Sequence, residues 1–236
     1  MKKKHFIIAL VLISVQGYAQ LNKNKFMLSG RGNYYTNRSN QNNDAATSLR
    51  AENKDSRGAL QLNIGYTFSN NIAVGIIGGF EKNKESSTNF YTNNYFETKE
   101  VIRQSYNTGV FARYTRMISE SKFGFFFELD NTYIWGRDNF RSIYFPNPTN
   151  TDNYAVKMHG FKSELIPGLV YFISNKLSIE ATFGNISYAT TVYNWPLKHD
   201  RNDAQFNVNF STSTFFLGLT FYFGKSEDST STKNLQ

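Results

Sequence analysis

The sequence predicts an all-β chain: an eight-stranded antiparallel up-and-down transmembrane β-barrel. Three observations carry that expectation. Aromatic residues make up 17% of the 236 residues, with 22 Phe and 15 Tyr, and such side chains suit a pleated surface. Apolar and polar residues alternate with period two through long stretches. The connections between those stretches switch between very short and long, as in barrels with tight turns at one end and loops at the other.

The first nineteen residues, MKKKHFIIALVLISVQGYA, read as a secretory signal peptide. Lys2, Lys3 and Lys4 form a basic start, Phe6 to Val15 an apolar run, and Gly17 and Ala19 the small residues before a cleavage site. Cleavage would leave Gln20 first. The apolar run is too short to span a bilayer, which takes roughly 20 residues. The expected division is therefore a signal peptide at 1–19, a barrel domain at 20–223 and a disordered polar tail at 224–236.

Alternation is clearest from Leu60, where Leu60, Leu62, Ile64, Tyr66 and Phe68 share one face and Gln61, Asn63, Gly65 and Thr67 the other. Ile72, Val74, Ile76 and Phe80 repeat the scheme against Ala73, Gly75, Gly79 and Glu81. So do Phe215, Leu217, Leu219, Phe221 and Phe223 against Gly218, Thr220 and Tyr222. Carried along the chain, the pattern predicts strands at 25–36, 57–69, 72–83, 99–117, 123–138, 157–173, 176–190 and 207–223. Turns at 69–71, 118–122 and 174–176 are short. Loops at 37–56, 84–98, 139–156 and 191–206 are long and polar. Residues closing strands at Tyr66, Tyr114 and Tyr171 give a weak hairpin repeat.

Alternation alone leaves open whether the apolar face points into a core or out to lipid. Strands of about ten residues, long enough to span when tilted, favour lipid. So do aromatics near strand ends, as at interfaces, and glycines on the polar face that let a narrow interior close. A soluble carrier barrel of lipocalin type is the opposing reading, with its apolar face inward.

Composition narrows the function classes. With no Cys, disulfides, thiolate metal sites, thiol nucleophiles and a lipid-modified cysteine are excluded. The net charge is +8, but the basic residues are scattered and form no nucleic-acid stripe. No cofactor and no metal site is expected. Gly75 to Gly79 is not a phosphate loop, because no Lys-Ser/Thr follows it.

Two stretches carry a family resemblance. Pro167-Gly168-Leu169-Val170-Tyr171-Phe172-Ile173-Ser174-Asn175-Lys176-Leu177-Ser178-Ile179-Glu180 resembles the strand-turn-strand of small porin-like, OmpA/OmpX-type outer-membrane β-barrels. Asn107 to Tyr114 is similar to their preceding strand. The resemblance implies an integral outer-membrane protein, and its motifs identify a barrel, not an activity. Members often end in an aromatic residue similar to the signal read by the barrel-insertion machinery. Here Phe223 is followed by the polar tail.

On this register the inward face holds Arg31, Glu81, Arg113, Glu128, Asp130, Lys162, Glu164 and Glu180. Charges in so narrow an interior need partners, so an ion-pair and hydrogen-bond network is expected, centred on Arg113, Lys162, Glu128 and Glu164. Such a network plugs the lumen, since eight strands leave room only for side chains. A narrow or gated channel for small solutes is the alternative. Glu128 and Asp130 face the same way, as a carboxylate pair would, but no cleft adjoins them.

A lipid-modifying enzyme is a further alternative. His159, Ser163 and Glu164 supply a base, a hydroxyl and an acid, yet His159 and Ser163 lie four residues apart in one strand, too far to bond at ~3.3 Å per residue. His199 falls in a long loop. Among the loops, Thr88 to Phe96 is rich in Asn, Thr and Tyr, good contact residues for sugars and proteins. The expected partners are outer-membrane lipid and lipopolysaccharide, the barrel-assembly machinery, and surface ligands through the long loops. A monomer without nucleic acid is expected, in the bacterial outer membrane.

Overall fold

The computed structural model describes residues 24–42, 50–91, 95–118, 121–146, 151–195, 200–211 and 214–224. The expected signal peptide, and the tail beyond Gly224, lie outside them. Ten strands form: β1 (Lys25–Asn42), β2 (Arg50–Thr67), β3 (Ile72–Phe90), β4 (Phe96–Met117), β5 (Phe123–Phe145), β6 (Thr151–Ser174), β7 (Leu177–Thr182), β8 (Asn185–Asn194), β9 (Arg201–Asn209) and β10 (Phe216–Phe223). Strands β1 to β7 bond in sequence, β7 bonds β10, and β10 returns to β1. That ring is an eight-stranded antiparallel barrel. β8 and β9 continue its seventh and eighth strands beyond a break.

The alternation in sequence is the alternation of the wall. Ile76 is 60% exposed on the outer face, whereas Asn63 is 1% exposed on the inner one. The three short turns are where the sequence predicts them, and each carries a serine that satisfies turn backbone. Ser69 Oγ accepts from the Ile72 amide at 3.1 Å, Ser121 Oγ from the Phe123 amide and Ser174 Oγ from the Lys176 amide, both at 3.2 Å. Serine does this because its short side chain reaches backbone two or three residues on.

The expected long loops are mostly strand. β1 and β2 stay paired out to Asn42↔Arg50, β3 and β4 to Phe90↔Phe96, and β5 and β6 to Ile143↔Thr151. In the Thr88–Phe96 stretch, the described residues 88–90 continue the β3–β4 ladder, with Thr88 and Thr98 hydroxyls 3.1 Å apart and the rings of Phe90 and Phe96 at 6.0 Å. The extensions of β1 to β3 are polar on both faces, as in Asn53 to Ser56 and Lys82 to Ser87, so they show no alternation. Cross-strand pairs support them instead, among them Arg38–Glu52 at 3.2 Å and Lys84–Glu100 at 2.8 Å.

The strands expected at 176–190 and 207–223 are each broken. Ile166 and Pro167 of β6 face three residues, Phe183, Gly184 and Asn185, between the pairs Gly168↔Thr182 and Leu165↔Ile186. This is a β-bulge, and Gly184 takes the positive φ of 75° that it needs. The extra residue flips the parity: Ser178, Glu180 and Thr182 face in before it, Asn185 and Ser187 after it. On the neighbouring strand the pairing is interrupted between Asn185↔Asn209 and Phe216↔Thr182. A Cβ on Gly184 would lie 2.0 Å from Phe210, so the bulge glycine also makes room for that ring. β10 pairs with β1 only from Phe26↔Phe223 to Gly32↔Leu217. Beyond Gly32 the described β1 is paired to β2, and β9 to β8, leaving a seam in the upper wall.

At the short-turn end the interior is packed with Met27, Ala73, Ile77, Phe111, Phe126, Val170, Phe172 and Tyr222. Glycines admit the rings. A Cβ on Gly168 would meet Phe126 Cζ at 2.3 Å, and one on Gly65 would meet Phe111 Cζ at 2.7 Å. Gly168→Val should therefore lower the unfolding free energy by about 1–3 kcal/mol through overpacking. Gly78→Ala, where the nearest atom would be 3.8 Å away, should be close to neutral. Urea titration of the refolded protein in vesicles compares the two.

Candidate functional site in the lumen

Directly above the apolar plug, the lumen is crossed by a bonded layer of charge. Glu128 on β5 is fully buried and takes the central place. Arg113 on β4, its partner across the ladder, donates Nε to Glu128 Oε2 at 2.6 Å. Arg113 also donates Nη1 to Glu180 Oε1 on β7 at 2.6 Å. From β1, Arg31 Nη2 bonds Glu128 Oε1 and reaches Asp130 Oδ2 at 3.2 Å.

Neutral side chains add further donors to the layer. Asn63 donates to Glu128 Oε1 and Gln61 to Asp130 Oδ2, both at 3.1 Å. The Thr220 hydroxyl donates to Glu180 Oε1 at 2.5 Å and lies 2.9 Å from Ser29 Oγ. Beneath the layer, the Arg113 guanidinium stacks 4.4 Å from the Phe126 ring centroid. The cation is thus held by carboxylates in the layer and by a ring face from the plug.

Every member faces inward by strand parity, and the layer ties β1, β2, β4, β5, β7 and β10 together across the lumen. Burial makes the pairing obligatory, because a charge taken out of water with no partner is costly. Each of the three carboxylates accepts from at least one guanidinium, while Asp130 Oδ1 and Glu180 Oε2 are buried without a hydrogen-bond partner.

The expected centre needs correcting. Lys162 and Glu164 join each other, at 2.8 Å, one level higher, and Glu164 also accepts from Asn185 Nδ2. Glu81 is gripped by Arg57, with Nε 2.9 Å from Oε1 and Nη2 3.0 Å from Oε2. These pairs, with Arg31 and Asn107, line a cavity of about 60 Å³ above the layer, room for a few waters. Arg31 takes the central role expected of Lys162, because partners across a barrel depend on how far each strand is staggered. Nearer the mouth, Arg103 holds the buried Asp138 with two nitrogens, at 3.0 and 2.9 Å. Gln61, Asn63, Thr220, Arg57 and Asn185 also belong to the lumen; inward parity is the sequence signal that marks the first four, whereas Asn185 is turned inward by the bulge.

The grouping of His159, Ser163 and Glu164 does not assemble. His159 and Ser163 are on the outer wall, where Ser163 Oγ donates to Asn131 Oδ1 at 2.5 Å, and Glu164 is on the inner wall. His199 lies outside the described residues. No group of three or more His, Asp or Glu among the described residues could hold a metal ion.

No protein-family model matches the chain, and no curated protein matches it. Among solved structures, the outer membrane protein OprG from Pseudomonas aeruginosa is similar at 12% identity and a TM-score of 0.45, covering 89% of this chain and 100% of that one. The translocator domain of the autotransporter NalP from Neisseria meningitidis is similar at 9% identity and a TM-score of 0.23, covering 94% and 95%.

Arg113→Met should cost about 3–5 kcal/mol, because it leaves Glu128 and Glu180 buried without their main partner. Lys162→Met removes a pair whose lysine is 29% exposed and should cost no more than about 1 kcal/mol. Equilibrium unfolding of both variants under one set of conditions separates a braced layer from scattered surface pairs.

Proposed function

We propose that this chain is an integral outer-membrane β-barrel with a closed lumen. It is exported by its first nineteen residues, is anchored by residues 20–223, and carries a polar sheet beyond the membrane for structural or surface-contact roles. The observation that carries the reading is the inverted polarity of the wall. Leu28, Leu62, Ile76, Val110, Leu129, Leu169, Ile179 and Leu219 all point outward and are exposed, while guanidinium and carboxylate groups fill the inside. A soluble carrier barrel requires the opposite arrangement.

The outward apolar residues form a band with aromatic edges. Phe26, Tyr66, Tyr114, Phe123, Tyr171 and Phe223 mark the short-turn edge. Tyr34, Phe80, Tyr106, Trp135 and Phe161 mark the other. Between them each strand contributes about ten residues, enough to cross a bilayer when tilted. Aromatic rings suit these edges because one side is apolar and the other wet.

The plug and the charged layer above it favour a barrel that does not conduct along its axis, as against the narrow-channel alternative. The separation of His159 and Ser163 from Glu164 counts against the lipid-modifying alternative in the form that joins those three residues.

Two measurements test the reading. Planar-bilayer recordings should show no stable large conductance, and a steady open channel would overturn the closed lumen. Ile76→Arg should destabilise the protein in vesicles by about 2–4 kcal/mol if that position faces lipid. At a water-facing position the same change would stay within roughly 0.5 kcal/mol.

A further inference from the structure

Strands β3 to β6 are in continuous register, and on their outer face two neighbouring rungs differ sharply in chemistry. One rung reads Phe80↔Tyr106↔Trp135↔His159 across the four strands. The next rung toward the mouth reads Lys82↔Gln104↔Arg137↔Lys157. Rings of the first rung touch, with Phe80 and Tyr106 centroids at 5.2 Å and Tyr106 and Trp135 at 6.0 Å. Lys82, Arg137 and Lys157 of the second are exposed.

The cations of that rung have no carboxylate. Among the described residues no ion pair engages Lys82, Arg137 or Lys157, and Arg137 makes one long contact, to Gln104 Oε1 at 3.5 Å. Glu100, a carboxylate of the same outer face, is taken by Lys84. Glu81 and Asp138 sit beside these residues in sequence, but on the inner wall. Three cations therefore stand together on one rung, unneutralised, immediately above a row of aromatic faces and an apolar band. Neighbouring strands lie ~4.8 Å apart and same-face rungs ~6.6 Å apart, so the patch is about 14 Å wide.

We propose that this patch binds a phosphorylated glycolipid of the outer leaflet. The inference rests on the membrane reading above. Acyl chains lie on the apolar rungs, where Val110 and Leu129 face out. Sugar rings lie against the aromatic rung, whose flat faces accept their C–H edges. Phosphates meet the ammonium and guanidinium groups of Lys82, Arg137 and Lys157, with Arg137 able to engage one bidentately. The width fits a headgroup of more than one ring better than a single phosphoglycerol. The adjoining β1–β2 hairpin supplies the contrast: Arg38 and Lys54 face each other there, but Arg38 is paired with Glu52 and the rungs beneath are Thr36↔Ser56 and Tyr34↔Gly58, with no aromatic row.

The test uses the refolded chain in phosphatidylcholine nanodiscs, with heat-modifiable gel mobility as the check of insertion. The probes are bisphosphorylated lipid A, the same lipid dephosphorylated, and phosphatidylglycerol, with bound lipid read by native mass spectrometry. The inserted chain should bind the phosphorylated form about a hundredfold more tightly than the dephosphorylated one. The K82Q/R137Q/K157Q variant should lose that preference, and R38Q/K54Q should keep it. Equal binding of the dephosphorylated lipid or of phosphatidylglycerol, or equal loss in both variants, would overturn the site while leaving the barrel in place. A chain that never inserts would overturn the membrane reading first, and the site with it.

Discussion

Everything in this molecule depends on the ladder between β1 and β10. A sheet in hydrocarbon must have its backbone donors and acceptors paired within the protein, and an open edge leaves a row of them bare. Residues Phe26 to Gly32 meet Leu217 to Phe223, and that contact turns an eight-strand sheet into a ring. Closure in turn defines an inside. Once an inside exists, strand parity delivers Ser29, Arg31, Glu128, Glu180 and Thr220 to it, and their mutual bonding becomes compulsory.

The inside and the outside then support each other. Charges in the lumen cannot be hydrated freely, so Arg31 and Arg113 bind the three carboxylates beside them and draw four strands together. Phe111 and Phe126 close the floor because Gly65 and Gly168 leave them space. Above that floor most apolar side chains of the ring face outward, where, on the proposed reading, lipid serves as the medium that a soluble protein finds in its core. Above the band, the wall changes character. Its strands continue as more polar ribbons, and beyond the bulge at Gly184 β8 pairs with β6 and β9 with β8.

Much of this was legible in the residues. Leu60 to Phe68 names its two faces by simple alternation, and the serines at 69, 121 and 174 mark the tight turns. The strand extensions were not legible, because Lys82 to Ser87 and Asn53 to Ser56 are polar on both faces and carry no period. The breaks did leave a trace. Leu177, Ile179, Ala181 and Phe183 are odd-numbered, whereas Ile186 and Tyr188 are even. Phe206, Val208 and Phe210 are even, whereas Phe215 to Phe223 are odd. A change of parity within one strand means an odd number of inserted residues. The partners of Arg31 could not be read at all, since they are set by strand stagger, which pairs residue 31 with residue 128 across the lumen.

The central claim is that the apolar face of this wall touches lipid. Because the chain has no Cys, single cysteines at successive positions from 60 to 67 can each carry a spin label in reconstituted vesicles. Collision with oxygen, which partitions into lipid, should rise and fall with period two, highest at 60, 62, 64 and 66, while a polar nickel reagent stays excluded from those positions. High access of the nickel reagent at the even positions would place that face in water and contradict the account.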